Sequence, residues 1–291
     1  MLELISDYMR DERSRHLLNE LTQKTFGFDF EGWVTDGYFE GDYIPYSFVE
    51  DGVMISNVSA NRMQFMQKDQ IRNYIQIGTV MTDVDYRKQG LAAQLMKHVI
   101  ETYENNCDGI YLFGDLGALE FYKKMGFSVE NQYRYYLKDE FLNIEKAECR
   151  FMPIKDQGEA LRQKYLDYVR HSARHSSFEQ VNKYGLQMFY TSGLDSVYYA
   201  EDIDCFIVKE QDDCTVIGSV LSKERIPLIA ILRRIDVDNR CRLGFVPFDE
   251  DRNLCVSEEY DGGDDYRLFY RGAGLESIER DKLFFPDLSH A

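Results

Sequence analysis

The chain has 291 residues, 44% of them hydrophobic, and a formal net charge of -17. This length and apolar content support one large domain or two ordinary ones with real cores, and argue against global disorder. The acidity argues against nucleic-acid or anionic-membrane partners; it suits a cationic or amine-bearing substrate, or merely keeps the protein soluble.

In chain order, Leu17, Leu18, Leu21 and Phe26 recur at helical spacing, predicting a helix over 12–26 that Gly27 can end. The aromatic and acidic stretch FGFDFEGWVTDGYFEGDYIPY is broken by glycines and reads as a loop or short helices lining a pocket. A meander follows: a strand at 46–49, a turn at Glu50-Asp51-Gly52, a strand at 53–58, then a further strand pair between Arg62 and Thr82 turning at Lys68-Asp69. In the last of these strands Ile75, Ile77, Thr79 and Met81 should share one side, and Gly78 permits a bulge or a close backbone approach.

Next, DYRKQGLA joins that strand to a helix whose apolar face is Leu91, Leu95, Met96, Val99, Ile100 and Tyr103. The first N–H groups of a helix lack backbone partners and, with the helix dipole, form an anion site. Gly90 admits close approach of a diphosphate, Ala92 does not block it, and Arg87 and Lys88 can add positive charge. On spacing alone an ordinary strand-to-helix turn is equally possible. Neither GxxxxGK[ST] nor GxGxxG is present. A strand at 110–113 then leads into a short helix containing Leu116, Leu119, Tyr122 and Met125, which Gly126 can close in the left-handed conformation.

The second half holds a helix at 157–170, strands at 197–199, 205–208 and 216–221, a short helix PLIAILRRI, a strand and turn CRLGFVPF, and an alternating strand DYRLFYRG. The carboxylate-rich segment 249–265 reads as a solvated loop without the offsets of a calcium loop. Met125-Gly126-Phe127 and Leu243-Gly244-Phe245 occupy similar relative places, a weak sign of a repeated fold. The expected division is 1–145 and 146–291. The six cysteines form no CxxC pair or zinc spacing, the start is too charged for a secretory segment, and no run of roughly 18 apolar residues occurs, so a cytoplasmic chain without metal or membrane span is expected. His171 and His175, four apart, find no third ligand in the sequence.

IGTVMTDVDYRKQGLAAQLM resembles the acyl-CoA-binding signature of the GNAT acyltransferase superfamily, a strand followed by [RQ]xxGx[GA], with Arg87, Gly90 and Ala92 matching and Lys88 where glycine is common. DGIYLFGDLGALEFYKKMGF resembles the family's second element, with Ala118, Phe121, Tyr122, Gly126 and Phe127 matching and Asp115 in place of asparagine. The resemblance implies a mixed α+β fold with splayed central strands. It implies that Val80, Met81 and Thr82 face the pantetheine arm of acetyl-CoA, that the backbone of Arg87, Lys88, Gln89, Gly90, Leu91 and Ala92 wraps the diphosphate, and that an N–H near Met81 receives the oxyanion. It also assigns Tyr122 the protonation of the leaving thiolate, a role suited to a phenol, which is protonated at neutral pH.

LTQKTFGFDFEGW and YIPYSFVEDGVMISNVSANRMQF resemble one branch, the enhanced-intracellular-survival type, some of whose members modify aminoglycosides. That branch continues into a second, degenerate GNAT-like domain and a sterol-carrier-like domain; residues 150–291 have room for the second only. A single active site in the first half is implied, with the second half shaping the acceptor side. In that branch the terminal carboxylate can reach the site, which makes Ala291 or His290 a candidate. No base for the acceptor amine is evident: Asp29, Glu31, Asp36, Asp42, Glu50 and Asp51 are all open. The expected activity is direct acetyl transfer to a primary amine, either a small molecule such as a polyamine or aminoglycoside, or a peptide lysine. The alternative is a non-catalytic acyl-CoA sensor. Oligomeric state is left open.

Overall fold

The computed structural model describes residues 1–237, 240–263 and 266–291. In chain order the first half contains β1 (Leu2–Ser6), α1 (Glu12–Phe26), α2 (Glu31–Thr35), β2 (Tyr43–Glu50), β3 (Val53–Gln67), β4 (Gln70–Thr82), α3 (Leu91–Tyr103), β5 (Gly109–Asp115), α4 (Leu119–Lys124), β6 (Ser128–Glu130) and β7 (Gln132–Leu137). The second half adds α5 (Asp139–Leu142), β8 (Met152–Pro153), α6 (Glu159–His171), β9 (Phe178–Gln180), α7 (Tyr184–Thr191), β10 (Val197–Ala200), β11 (Cys205–Gln211), β12 (Thr215–Leu221), α8 (Leu228–Leu232), β13 (Cys241–Leu243), β14 (Cys255–Tyr260) and β15 (Tyr266–Arg271). The fold is mixed α+β with two sheets.

Helix α1 begins where Asp11 accepts a bond from the Ser14 N–H at 2.8 Å and ends at Gly27, φ 79°, as its sequence predicts. Leu18 and Leu21 are buried, but Phe26 is 49% exposed and faces away from the core. The turn between β3 and β4 is Lys68-Asp69, both with positive φ, the twist that two-residue hairpins require. Strand β3 runs unbroken for 15 residues, where the sequence suggested a break near 59–61. Asn57 and Ser59 are fully buried and bonded to β2 and β4, which carries the strand through that stretch.

The first sheet has the order β1-β2-β3-β4-β5-β15-β6, with β9 also paired to β3; the second has the order β14-β7-β13-β12-β11-β10-β8. The halves therefore exchange strands. From the second half, β15 inserts antiparallel between β5 and β6, while β7 of the first half pairs with β13 and β14. One core cluster joins the sheets through Phe65, Tyr111, Phe178 and Phe285, with Phe285 stacked on Tyr111 at 4.0 Å between ring centroids. On the other face of the first sheet, Ile75, Ile77, Ile110 and Leu112 pack against Leu95, Met96 and Val99 of α3.

Two readings are corrected. The acidic segment is partly strand: Cys255–Tyr260 pairs along β7, Cys255 pointing inward and Glu258 held outside by Arg240. A free strand edge on β7 outweighs the poor strand propensity of the carboxylates. Asp264 and Asp265 lie outside the described residues. The two Gly-Phe pairs are not equivalent either. Gly126, φ 82°, closes a helix, whereas Gly244 follows β13 and is required because a Cβ there would meet the Asp287 carboxylate at 2.5 Å.

Candidate active site

Strands β4 and β5 run parallel, but their pairing covers only Tyr74↔Gly109 to Gln76↔Tyr111. Beyond that they diverge, β4 to Thr82 and β5 to Asp115. In the diverging part β4 carries a bulge: its register to β3 slips between Asn57 and Ser59, and Thr79 is driven to φ 43°. A β-branched residue there is strained. A closed set of hydroxyl bonds holds it, Tyr43 to Thr79 at 2.7 Å, Thr79 to Ser59 at 2.8 Å and Ser59 to Tyr43 at 2.7 Å, while the Asn57 amide donates to the Thr79 carbonyl at 2.9 Å. The bulge also breaks the expected alternation. Val80, not Thr79 or Met81, follows Ile75 and Ile77 into the α3 cluster, while Met81 packs with Leu18 and Leu21 of α1. The Thr82 hydroxyl pairs with Ser56 at 2.9 Å.

After β4 the chain turns through Arg87–Ala92. Lys88 (φ 64°) and Gly90 (φ 76°) are both left-handed, which explains why glycine suits the Lys88 position. The Lys88 residue is exposed, and Arg87 reaches back to the Thr82 carbonyl at 3.3 Å. Gly90 stands at the N-terminus of α3; no side chain caps the helix, and no atom lies within 4 Å of where a Gly90 Cβ would be. The first N–H groups of a 13-residue helix thus face open space, beside exposed Arg87, Lys88 and Gln89, with Leu91 buried and Ala92 half-buried behind them. Such a helix start can hold an anion.

Tyr122 lies on α4 and is 6% exposed. Its ring rests on Gly114 of β5, where a Cβ would meet Tyr122 Cε2 at 2.5 Å. Phe269, from β15, backs it at 4.8 Å between centroids. Burial, then the nearby Asp115 charge, pushes the phenol up to about 12, and among the described residues its hydroxyl has no hydrogen-bond partner. Asp115 itself accepts from the Gly117 N–H, so its carboxylate caps the turn that leads into α4.

On the other side of β4 a cavity of about 400 Å³ opens between the sheet, α1, α2 and α7. Its walls include Phe28, Phe30, Trp33, Tyr43 and Phe189. Of the six carboxylates left open by the sequence, Asp42 lines it. Asp42 is half-buried, which raises its pKa, and accepts from Asn182 at 3.0 Å. The others are elsewhere: Glu31 is clamped by Arg15 at 2.7 and 2.9 Å, Asp29 accepts from the Glu31 N–H, Asp36 ends α2, and Glu50 and Asp51 sit at a distant hairpin. His290 and Ala291 also line the cavity. The Ala291 oxygen is 3.4 Å from Gln76 Nε2, and a Cβ on Gly78 would meet it at 2.5 Å. The close approach that Gly78 permits is thus to Ala291. The His290 ring stacks on Phe113 of β5 at 4.0 Å, and burial pulls its pKa down to about 4. Both nitrogens of His175 are engaged, by the Ala173 carbonyl and by Ser222.

The sequence reading missed Phe189, Tyr190 and Phe269 as parts of the site. α7 carries no local signal of function, and Phe269 reaches Tyr122 only through strand insertion. The buried polar run 57–61 was the one available clue to the Thr79 network.

The family model described as "Acetyltransferase (GNAT) family" matches residues 2–127. This part of the chain belongs to the GNAT family. The GNAT elements are thus β1 through α4, and both motifs lie within them. Similar solved structures extend the likeness of fold into the second half. A conserved protein of unknown function from Enterococcus faecalis, described as a probable N-acyltransferase, aligns at TM-score 0.57 and 17% identity over 96% of this chain and 74% of its own. A GCN5-related N-acetyltransferase from Kribbella flavida aligns at 0.57 and 16% over 94% and 71%. Eis1 from Mycobacterium abscessus aligns at 0.54 and 11% over 92% and 73%. At these identities the likeness is one of fold. No curated protein matches the sequence. Among the described residues, no helix is long and apolar enough to cross a membrane.

Proposed function

We propose that the protein is an acyl-CoA-dependent N-acetyltransferase of the enhanced-intracellular-survival-like branch, transferring acetyl directly from acetyl-CoA to a primary amine. The observation that carries this reading is the divergence of β4 from β5 beyond Gln76 and Tyr111, opening between the uncapped start of α3 and the α4 tyrosine. The residues fit the cosubstrate. The N–H groups around Gly90, with Arg87, Lys88, Gln89, Leu91 and Ala92, would hold the diphosphate, and the β4 edge at Val80, Met81 and Thr82 would pair with the pantetheine arm. Acetyl-CoA supplies the activated thioester.

The chain's own groups do the rest. An amine in the cavity beside β4 attacks the thioester carbonyl from the side opposite α3. The carbonyl oxygen gains charge and an N–H near Met81 stabilises it. The C–S bond breaks, and Tyr122 gives its proton to the departing thiolate. A phenol at about 12 is a weak acid, but the same desolvated surroundings raise the basicity of the thiolate beside it. The proton lost by the amine leaves toward the cavity, where Asp42 is the half-buried carboxylate. Six free thiols suit a reducing compartment such as the cytoplasm.

Calorimetric titration of cofactor-stripped protein with acetyl-CoA tests this reading. Saturable binding that is lost in Gly90→Asp places the cosubstrate at the turn. Absence of binding in the intact protein removes the proposal.

A further inference from the structure

From the chemistry of the cavity walls, we infer that the acceptor is an amine on an aromatic or bulky apolar body, not a polycation or a polyhydroxylated sugar. That the ligand is an amine rests on the proposed acyl transfer; that its body is apolar rests on the cavity alone.

The walls are rings. Phe30 and Tyr43 lie 4.8 Å apart, Trp33 and Phe189 5.7 Å, and Phe28 and Phe189 5.7 Å between centroids, with Tyr190 exposed beside them. Trp33 spends its polar edge on the Gly185 carbonyl at 2.7 Å, which leaves ring surface for a ligand.

Several polar groups of the wall are already committed. The hydroxyls of Tyr43 and Thr79 satisfy each other at 2.7 Å. The Asn61 amide donates to the Gln76 carbonyl at 3.2 Å. Asn182 donates to Asp42 and to the Arg62 carbonyl, and accepts from the Gln64 N–H. Gln180 Oε1 has no partner but also no surface open to a ligand. A sugar bearing many hydroxyls would lose its water and find few replacements, a cost that rejects it. An apolar body loses nothing comparable and gains by burial.

Charge points the same way. Glu40 is neutralised by an ion pair with Arg170, and Arg62 lies on the same wall as Asp42. The carboxylate of Asp42 can balance one ammonium group. Further ammonium groups of a polyamine would meet the Arg62 guanidinium.

Trp33 is the sole tryptophan of the chain, so its emission reports on this cavity directly. The experiment titrates 2-phenylethylamine, spermidine and kanamycin into the full chain, with and without CoA, following that emission. Saturation by 2-phenylethylamine at a concentration at least tenfold below either competitor is expected. Phe189→Ala should weaken it about tenfold or more while leaving acetyl-CoA calorimetry unchanged. Saturation by spermidine or kanamycin at an equal or lower concentration overturns the inference, and so does the lack of any saturation by 2-phenylethylamine. Thiol release separates the two proposals. Release with spermidine but not 2-phenylethylamine keeps acyl transfer and removes the apolar acceptor. Bound 2-phenylethylamine without release does the reverse.

Discussion

Replacing Gly114 by alanine is the sharpest perturbation of the Tyr122 seat. The added Cβ would lie 2.5 Å from Tyr122 Cε2, 2.8 Å from Leu112 Cδ1 and 3.0 Å from Phe269 Cε2. Three elements, α4, β5 and β15, close on that point, so no single rotamer change relieves it. Ordinary carbon contacts begin near 3.5 Å, so the Tyr122 ring must retreat by about 1 Å. Overpacking of this kind costs about 1–3 kcal/mol, or roughly 2–5 °C in unfolding midpoint for a chain this long. Displacing a catalytic group by about 1 Å costs on the order of 100-fold in turnover. The assay pairs thermal unfolding with thiol-release kinetics and acetyl-CoA calorimetry. Turnover should fall about 100-fold with acetyl-CoA affinity changed less than about threefold, since the α3 cradle is untouched. A Gly114→Ala protein with unchanged midpoint and turnover would show that Tyr122 does not rest where the structure puts it.

Other expectations follow from the same geometry. Tyr122→Phe keeps the ring and its packing, so it should lower turnover by about 10²–10⁴-fold at unchanged stability and acetyl-CoA affinity; equal turnover removes the acid role. Gly90→Asp sets a side chain and a negative charge on a left-handed residue at the diphosphate, and should abolish calorimetric binding while the fold, read by circular dichroism, survives. Residues 1–145 made alone lack β15, Phe269 and the partners of β7, and should be protease-sensitive; a compact, active fragment would contradict the strand exchange. The His290 pKa is lowered to about 4 by burial, so the folded state disfavours its protonation. The associated stability is complete above about pH 6.5 and is lost as pH falls toward about 4, on the order of a few kcal/mol at most. Urea midpoints at pH 7.5 and 5 should therefore converge in His290→Phe, which keeps a ring on Phe113; an undiminished acid dependence in that variant assigns the effect to other groups.

Much of the local structure around β4, α3 and α4 was legible in the residues themselves. α1, the Lys68-Asp69 turn, the apolar face of α3, the turn at Gly90 and the closure of α4 at Gly126 all depend on contacts or dihedrals within a few residues, and spacing and glycine placement encode those. The family motifs lie on the same local segments, and Tyr122 stands out among 21 tyrosines only by its place in the second of them. Where local pattern misled, a long-range partner was responsible. The local pattern suggests a break between residues 58 and 62, but β2 and β4 supply partners that let Asn57, Ser59 and Asn61 be buried in one continuous strand. The alternation of β4 failed at Thr79 because a bulge is a relation between two strands and leaves no mark on one.

The cavity beside β4 belongs to tertiary structure altogether. Residues from α1, α2, β2, β4, α7 and the segment ending at Ala291 meet in one cavity, and none of them announces the others. The insertion of β15 beside β5 puts Phe269 behind Tyr122, although 147 positions separate them, a number that follows from their places at 269 and 122 in the chain. The local sequence determined which segments are helix, strand and phosphate-sized turn, because those depend on short-range dihedrals and periodic burial. Only the packed chain decided which carboxylate lines the cavity, what backs the tyrosine and how apolar the cavity is, because each depends on which distant surfaces exclude water together.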